Sequence, residues 1–148
     1  MDRQVVCFKK LDPRAVMPTY GSEWAAGADL YAVLDEPLVI RPQQTRFVPI
    51  GIAVEIPCGL VGLVYARSGL ACKRGLAPAN KVGVIDADYR GEILVALTNH
   101  SDEPQTVEPG ERVAQMVIAP YIPVVYEESD ELSQTVRGSG GFGSTGRT

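Results

Sequence analysis

Histidine and cysteine are scarce: the 148 residues hold one histidine and three cysteines. The histidine, His100, sits in Asn99-His100-Ser101-Asp102-Glu103-Pro104, a composition that reads as a polar turn. An enzyme built on Ser-His-Asp or Cys-His would need that imidazole as its base, so acid–base chemistry falls to carboxylates. Cys7, Cys58 and Cys72 are widely spaced, with no Cys-x-x-Cys pair. That argues against a disulfide framework and a zinc site, and fits free thiols in a reducing cytoplasm. Apolar runs long enough to span a bilayer are missing, and Met1-Asp2-Arg3-Gln4 lacks the apolar stretch of a signal peptide. The expectation is a cytoplasmic protein without a membrane partner. Excess positive charge is missing too: the net charge is −4, so the surface as a whole does not attract nucleic acid. An anionic ligand would need local positive charge, which directs attention to the arginines.

What is present is an ordinary globular composition, 45% apolar and 22% charged, in a length that suits one domain. No segment keeps a helical period over a dozen residues. Short apolar runs recur instead, at 47–56, 60–65, 93–97, 105–107 and 113–119, punctuated by 15 Gly and 11 Pro. This pattern predicts an all-β barrel or sandwich. The runs 47–56 and 60–65, separated by Pro57-Cys58-Gly59, read as a hairpin. One short helical turn is predicted over 69–73. The reading divides the chain into a domain at 1–136 and a mobile Gly-rich arm at 137–148, which has little to bury.

Three segments could carry chemistry. In Ala66-Arg67-Ser68-Gly69-Leu70-Ala71, Ser68 suits a helix N-cap, free amides at a helix start attract anions, and Arg67 adds a forked charge. A plain strand-to-helix turn with a surface arginine would look the same. In the arm, Gly138 and Gly143 have Walker A separation, but Ser144 stands where the lysine belongs and no helix can follow. Phe142, alone among glycines, could lie flat on a nucleobase; a functionless tail is the alternative. In the segment 83–92 (Gly-Val-Ile-Asp-Ala-Asp-Tyr-Arg-Gly-Glu), an apolar stretch leads to carboxylates at the mouth of a hairpin. Asp86 follows an apolar pair, so partial shielding from water is expected, and an oriented carboxylate can take a proton from water. Turn chemistry is the competing explanation, and for Asp88 the preferred one.

Together and in order, these segments resemble the trimeric dUTPase family over nearly the whole chain. Ala26-Gly27-Ala28-Asp29-Leu30 looks like its first motif, and Arg67-Ser68-Gly69-Leu70-Ala71 its second. The segment 83–91 looks like the third, Gly110-Glu111-Arg112-Val113-Ala114-Gln115 the fourth, and 137–146 the fifth. The resemblance implies a distorted jelly-roll β-barrel with one short helix, in a homotrimer whose sites are shared between subunits and closed by the arm. It implies hydrolysis of dUTP to dUMP and pyrophosphate, lowering dUTP and supplying dUMP for thymidylate synthesis. By match, Asp86 would activate the water that attacks the α-phosphorus. Tyr89 would pack on the deoxyribose and exclude a 2′-hydroxyl. Asn80 and backbone groups near Val84, Ile85 and Leu94 would read uracil. Arg67, Ser68, Gly69 and Gln115 would hold the phosphate chain. Arg137, Gly143 and Ser144 would grip the terminal phosphates, with Phe142 over the base. Asp29 would support Arg67 and the water shell of the metal, and Arg112 would be structural. The implied cofactor is Mg2+, held through phosphates and water without a direct protein ligand. Two departures stand out: Ala66, where the family usually has Pro or Gly, and Ala28, where a bulkier residue is common.

Two rivals remain at this stage. A dCTP deaminase resembles the fold but would want a carboxylate near an exocyclic amine. A nucleotide-sensing protein without catalysis would have no need of Asp86.

Overall fold

The computed structural model describes residues 4–142. In chain order these form β1 (Cys7–Lys10), β2 (Thr19–Tyr20), β3 (Ala28–Tyr31), β4 (Leu38–Ile40), β5 (Thr45–Pro49), β6 (Ile52–Glu55) and β7 (Leu60–Tyr65). They continue through α1 (Ser68–Arg74), β8 (Leu76–Pro78), β9 (Gly83–Ile85), β10 (Leu94–Asn99), β11 (Gln105–Val107) and β12 (Arg112–Pro120). The strands make a five-stranded sheet in the order β2-β3-β12-β7-β9, a three-stranded sheet β5-β10-β8, and the pairs β1-β6 and β11-β4. The all-β expectation with one short helix holds. The barrel is not closed, since the strands fall into four separate sheets.

Alternation builds the core. Along β10, Val95, Leu97 and Asn99 point inward while Leu94 faces out. Leu30, Val64 and Met116 from the large sheet join Val48, Val95 and Leu97 from the small one in a single apolar cluster. Each such side chain contributes roughly 1.5–3 kcal/mol by leaving water. In β12 the ladder to β3 shifts between Arg112 and Ala114, and both Val113 and Ala114 are buried. This β-bulge re-aims the strand, turning Arg112 outward beside β3.

The predicted hairpin of 47–56 with 60–65 is not formed. The first run breaks into β5 and β6 at Gly51 (φ +70), where a Cβ would lie 3.0 Å from Val33 and 3.1 Å from Ala15. β5 pairs with β10, β6 with β1, and β7 with β12 and β9. A left-handed glycine at a crowded crossing sends the chain into another ladder, and apolar alternation alone does not register that. No helix of the described residues is long and apolar enough to cross a membrane. From Tyr121 to Phe142 the chain joins no ladder.

Candidate active site

The segment 86–93 does not cap a hydrogen-bonded hairpin as expected. β9 pairs with β7, whereas β10 pairs with β5 and β8, so the strands on either side diverge into different sheets. Between them lies a cavity of about 220 Å3 with walls from Val64, Ile85 and Val95. That is below the ~300 Å3 at the lower end for drug-sized ligands, and suits a single ring system. β9 is an edge strand, and β8 meets β10 only from Leu97 onward. The main-chain groups around Val84 and Leu94 therefore have no ladder partner on the cavity side. Asn80 also lines the cavity. It sits in a tight turn, with Lys81 at φ 67 and its amide donating to Pro78 O at 3.1 Å. A Cβ on Gly83 would come within 3.3 Å of the Asn80 Nδ2, so the glycine leaves that amide its place.

Asp86 and Tyr89 stand at the cavity mouth. In the single chain Asp86 is exposed, which corrects the expected shielding: its apolar neighbour Ile85 turns into the core and Asp86 turns outward. Asp86 also borders an adjoining groove with Leu60 and Tyr121. Its carboxylate forms no ion pair among the described residues. The Tyr89 amide donates to Asp86 O at 3.1 Å, and the Tyr89 hydroxyl to Glu92 O at 2.9 Å.

A second cluster forms across the large sheet. Gln115 is registered opposite Asp29 on one side and Tyr65 on the other. Directly opposed residues share a face, which brings Asp29 and Gln115 together just before Arg67. Asp29 is buried, and its Oδ1 accepts from Arg67 Nε at 2.8 Å and its Oδ2 from Arg112 Nη1 at 3.1 Å. Gln115 Nε2 donates to Ala66 O at 2.9 Å. The expected cap is corrected here: Arg67, extended at φ −87 and ψ 132, occupies the N-cap position, and no side chain caps α1. Ser68 is the first helical residue, and both it and Gly69 are exposed. The hydroxyl and the first-turn amides are thus free of intrahelical partners. Gly75 (φ 67) closes the helix, its amide donating to Ala71 O at 3.1 Å.

The two clusters do not merge within one chain. None of Arg67, Ser68, Gly69, Gln115, Arg137 or Phe142 lines the cavity. Arg137 Nε donates to Gly140 O at 2.8 Å, and Phe142 is fully exposed. Gly143 and Ser144 lie outside the described residues.

Sequence reasoning missed Glu92, which lines the cavity and whose Oε1 accepts from the Gly51 amide at 3.1 Å. Its place at the end of the carboxylate-bearing segment was the available signal. It also missed Arg74, which ties the last turn of α1 to Glu111 and to Thr106 O. A basic residue at a helix C-terminus was the hint there. Among the described residues no three His, Cys, Asp or Glu side chains converge as a metal cage. Both oxygens of Asp29 are taken by arginines. That donor set fits a hard cation carried on phosphates and water, not one ligated by the protein.

The sequence profile of the dUTPase family matches residues 13–146. A deoxyuridine 5'-triphosphate nucleotidohydrolase of Desulfitobacterium hafniense is 50% identical over 142 residues, covering 95% of this chain and 94% of its own. The protein of the same name from Rickettsia felis is 48% identical, covering 95% and 96%. Among solved structures, the Staphylococcus bacteriophage 80alpha dUTPase with dUPNHPP aligns with a TM-score of 0.88 at 29% identity, covering 98% of this chain and all of that one. A dUTPase mutant from phage phi11 of S. aureus, described as revealing the coordination of a structural Mg(II) ion, aligns with a TM-score of 0.77 at 25% identity.

Proposed function

The chain belongs to the dUTPase family, and from that premise we propose how its residues hydrolyse deoxyuridine triphosphate. The uracil enters the cavity between β9 and β10, where Asn80 and the unladdered main chain around Val84, Ile85 and Leu94 meet its polar edge. Tyr89 stands against the deoxyribose. Asp86 orients the attacking water and accepts its proton as the water approaches the α-phosphorus. The observation that carries this reading is the Asp86 carboxylate, without an ion-pair partner among the described residues, at the mouth of a cavity sized for one ring. A general base must reach its water without being tied up elsewhere.

Arg67, Ser68, Gly69 and Gln115 hold the phosphates, with Asp29 orienting the Arg67 guanidinium. These residues do not line the base cavity of their own chain. We therefore propose that a site is assembled between copies in a homotrimer, with Arg137, Phe142, Gly143 and Ser144 arriving from the arm. Bound Mg2+ would offset charge on the leaving pyrophosphate. The reading places the enzyme in the cytoplasm, supplying dUMP for thymidylate synthesis, with no nucleic-acid or membrane partner.

The test is a panel of dUTP, dCTP, dTTP and UTP with pyrophosphate and ammonia detection, run on the wild type and Asp86→Asn. The expected result is pyrophosphate from dUTP alone, with dUTP binding kept and most turnover lost in the variant. Full turnover in Asp86→Asn would remove that carboxylate from the mechanism. Ammonia from dCTP would move the enzyme to a deaminase.

A further inference from the structure

We infer that Gly91, together with the main chain of Glu92, is the seat that positions the Tyr89 ring and so helps set discrimination against ribonucleotides. The inference rests on the reading of Tyr89 as the wall against the sugar. Gly91 is not a glycine for the sake of its backbone. Positive φ occurs at Gly51, Gly59, Gly75, Gly110 and Gly138 among the described glycines, and not at Gly91. Its requirement is spatial. A Cβ there would lie 2.4 Å from the Tyr89 hydroxyl oxygen, 2.6 Å from Cζ and 2.9 Å from Cε2. All three nearest atoms belong to this one side chain, so the far end of the ring rests on the bare Cα of Gly91.

The ring is also held at its tip. The hydroxyl donates to Glu92 O at 2.9 Å, and the Glu92 carboxylate is itself anchored by the Gly51 amide at 3.1 Å. Tyr89 is otherwise half-exposed, at 45%. An aromatic side chain so open would normally move between rotamers. Seat and tether together restrict it to one. Rigidity matters because an apolar wall rejects an analogue that only adds a hydroxyl by about a hundred-fold, and a wall that gives way rejects it less. Gly91 and Glu92 are thus positioning residues that act through Tyr89.

The test compares kcat/KM for dUTP and UTP in the wild type, Gly91→Ala, Tyr89→Ala and the double variant, with a thermal midpoint for each. Gly91→Ala is expected to lower the dUTP-over-UTP ratio by about ten-fold or more. In the double variant it is expected to add nothing to the effect of Tyr89→Ala, since the two act on one element. A purely structural role lowers both substrates together and leaves the ratio alone. An unchanged ratio in Gly91→Ala, or a double variant with a lower ratio than Tyr89→Ala, overturns the inference. Should Gly91→Ala fail to fold, the double variant decides. Recovery of folding once the ring is gone supports the seat, and continued failure overturns it. An intact ratio in Tyr89→Ala would instead overturn the reading of Tyr89 itself.

Discussion

Asp29 holds Arg67 by a bond of 2.8 Å from the guanidinium Nε to Oδ1, although 38 positions separate the two residues. Asp29 is 7% exposed, and its carboxylate balances Arg112 as well. Asp29→Asn keeps the shape, removes the charge and sets an amide N–H against a guanidinium. The expected cost is about 1.5–3 kcal/mol of stability, as for hydrogen bonds to charged groups. The KM for dUTP is expected to rise at least about ten-fold as Arg67 loses its orientation. Urea unfolding and steady-state kinetics measure the two effects. Normal kinetics at reduced stability would confine Asp29 to a structural role.

Gly27 makes room for Gln115. A Cβ at Gly27 would lie 2.4 Å from the Gln115 Oε1, while Gln115 Nε2 donates to Ala66 O at 2.9 Å. Gly27→Ala therefore pushes the carboxamide aside and breaks that bond. The side chain is flexible, so the stability cost should stay at about 1 kcal/mol. The activity cost should be larger and appear mainly in KM. Gln115→Ala combined with Gly27→Ala tests the coupling: additive losses would show that the glycine acts elsewhere.

Truncation after Val136 should spare the fold. Among the described residues, the apolar core and the hydrophobics packed against it end at Ile118, and none after Pro120 joins a ladder. The truncated chain is expected to keep its thermal midpoint within a few degrees and to lose about a hundred-fold or more in kcat/KM, as when a closing element is removed. A collapse of the midpoint would make the arm part of the folding unit.

At the surface, Arg14 donates to Asp12 from its side chain, at 2.8 and 3.0 Å, and from its backbone amide at 2.8 Å. Chiefly through the side-chain bonds, the Asp12 carboxyl is lowered from 3.8 to about 2. A depressed carboxyl adds stability that is fully present above its unfolded pKa and lost as pH falls through the folded one. Asp12→Asn should thus be slightly less stable than the wild type above about pH 4, with the gap closing toward about pH 2. Urea midpoints across that range, at low salt because exposed pairs are screened, measure it. A gap that persists at the acid end would assign the loss to something other than ionisation.

The strands were legible because period-two alternation and Gly/Pro punctuation are local. The run 105–107 became β11, and 113–119 lies within β12. The separation of 47–56 into two strands was not legible, since it depends on Gly51 meeting Val33 and Ala15 from distant parts of the chain. Of the site, the arginine-serine-glycine run and Asp86 could be picked out by chemistry. The helix boundary was off because Arg67 holds the extended backbone that Ser68 was expected to adopt.

By itself the sequence determined an all-β fold with one short helix, and, through five ordered motifs, the family to which the chain belongs. It did so because alternation, turn residues and motif spacing are properties of the chain alone. Only the tertiary structure decided that β9 and β10 part to open a cavity, that Asp29 and Gln115 share a face, and that Tyr89 rests on Gly91. Those relationships depend on strand register and on which ladder each strand joins, and contacts between distant segments fix both.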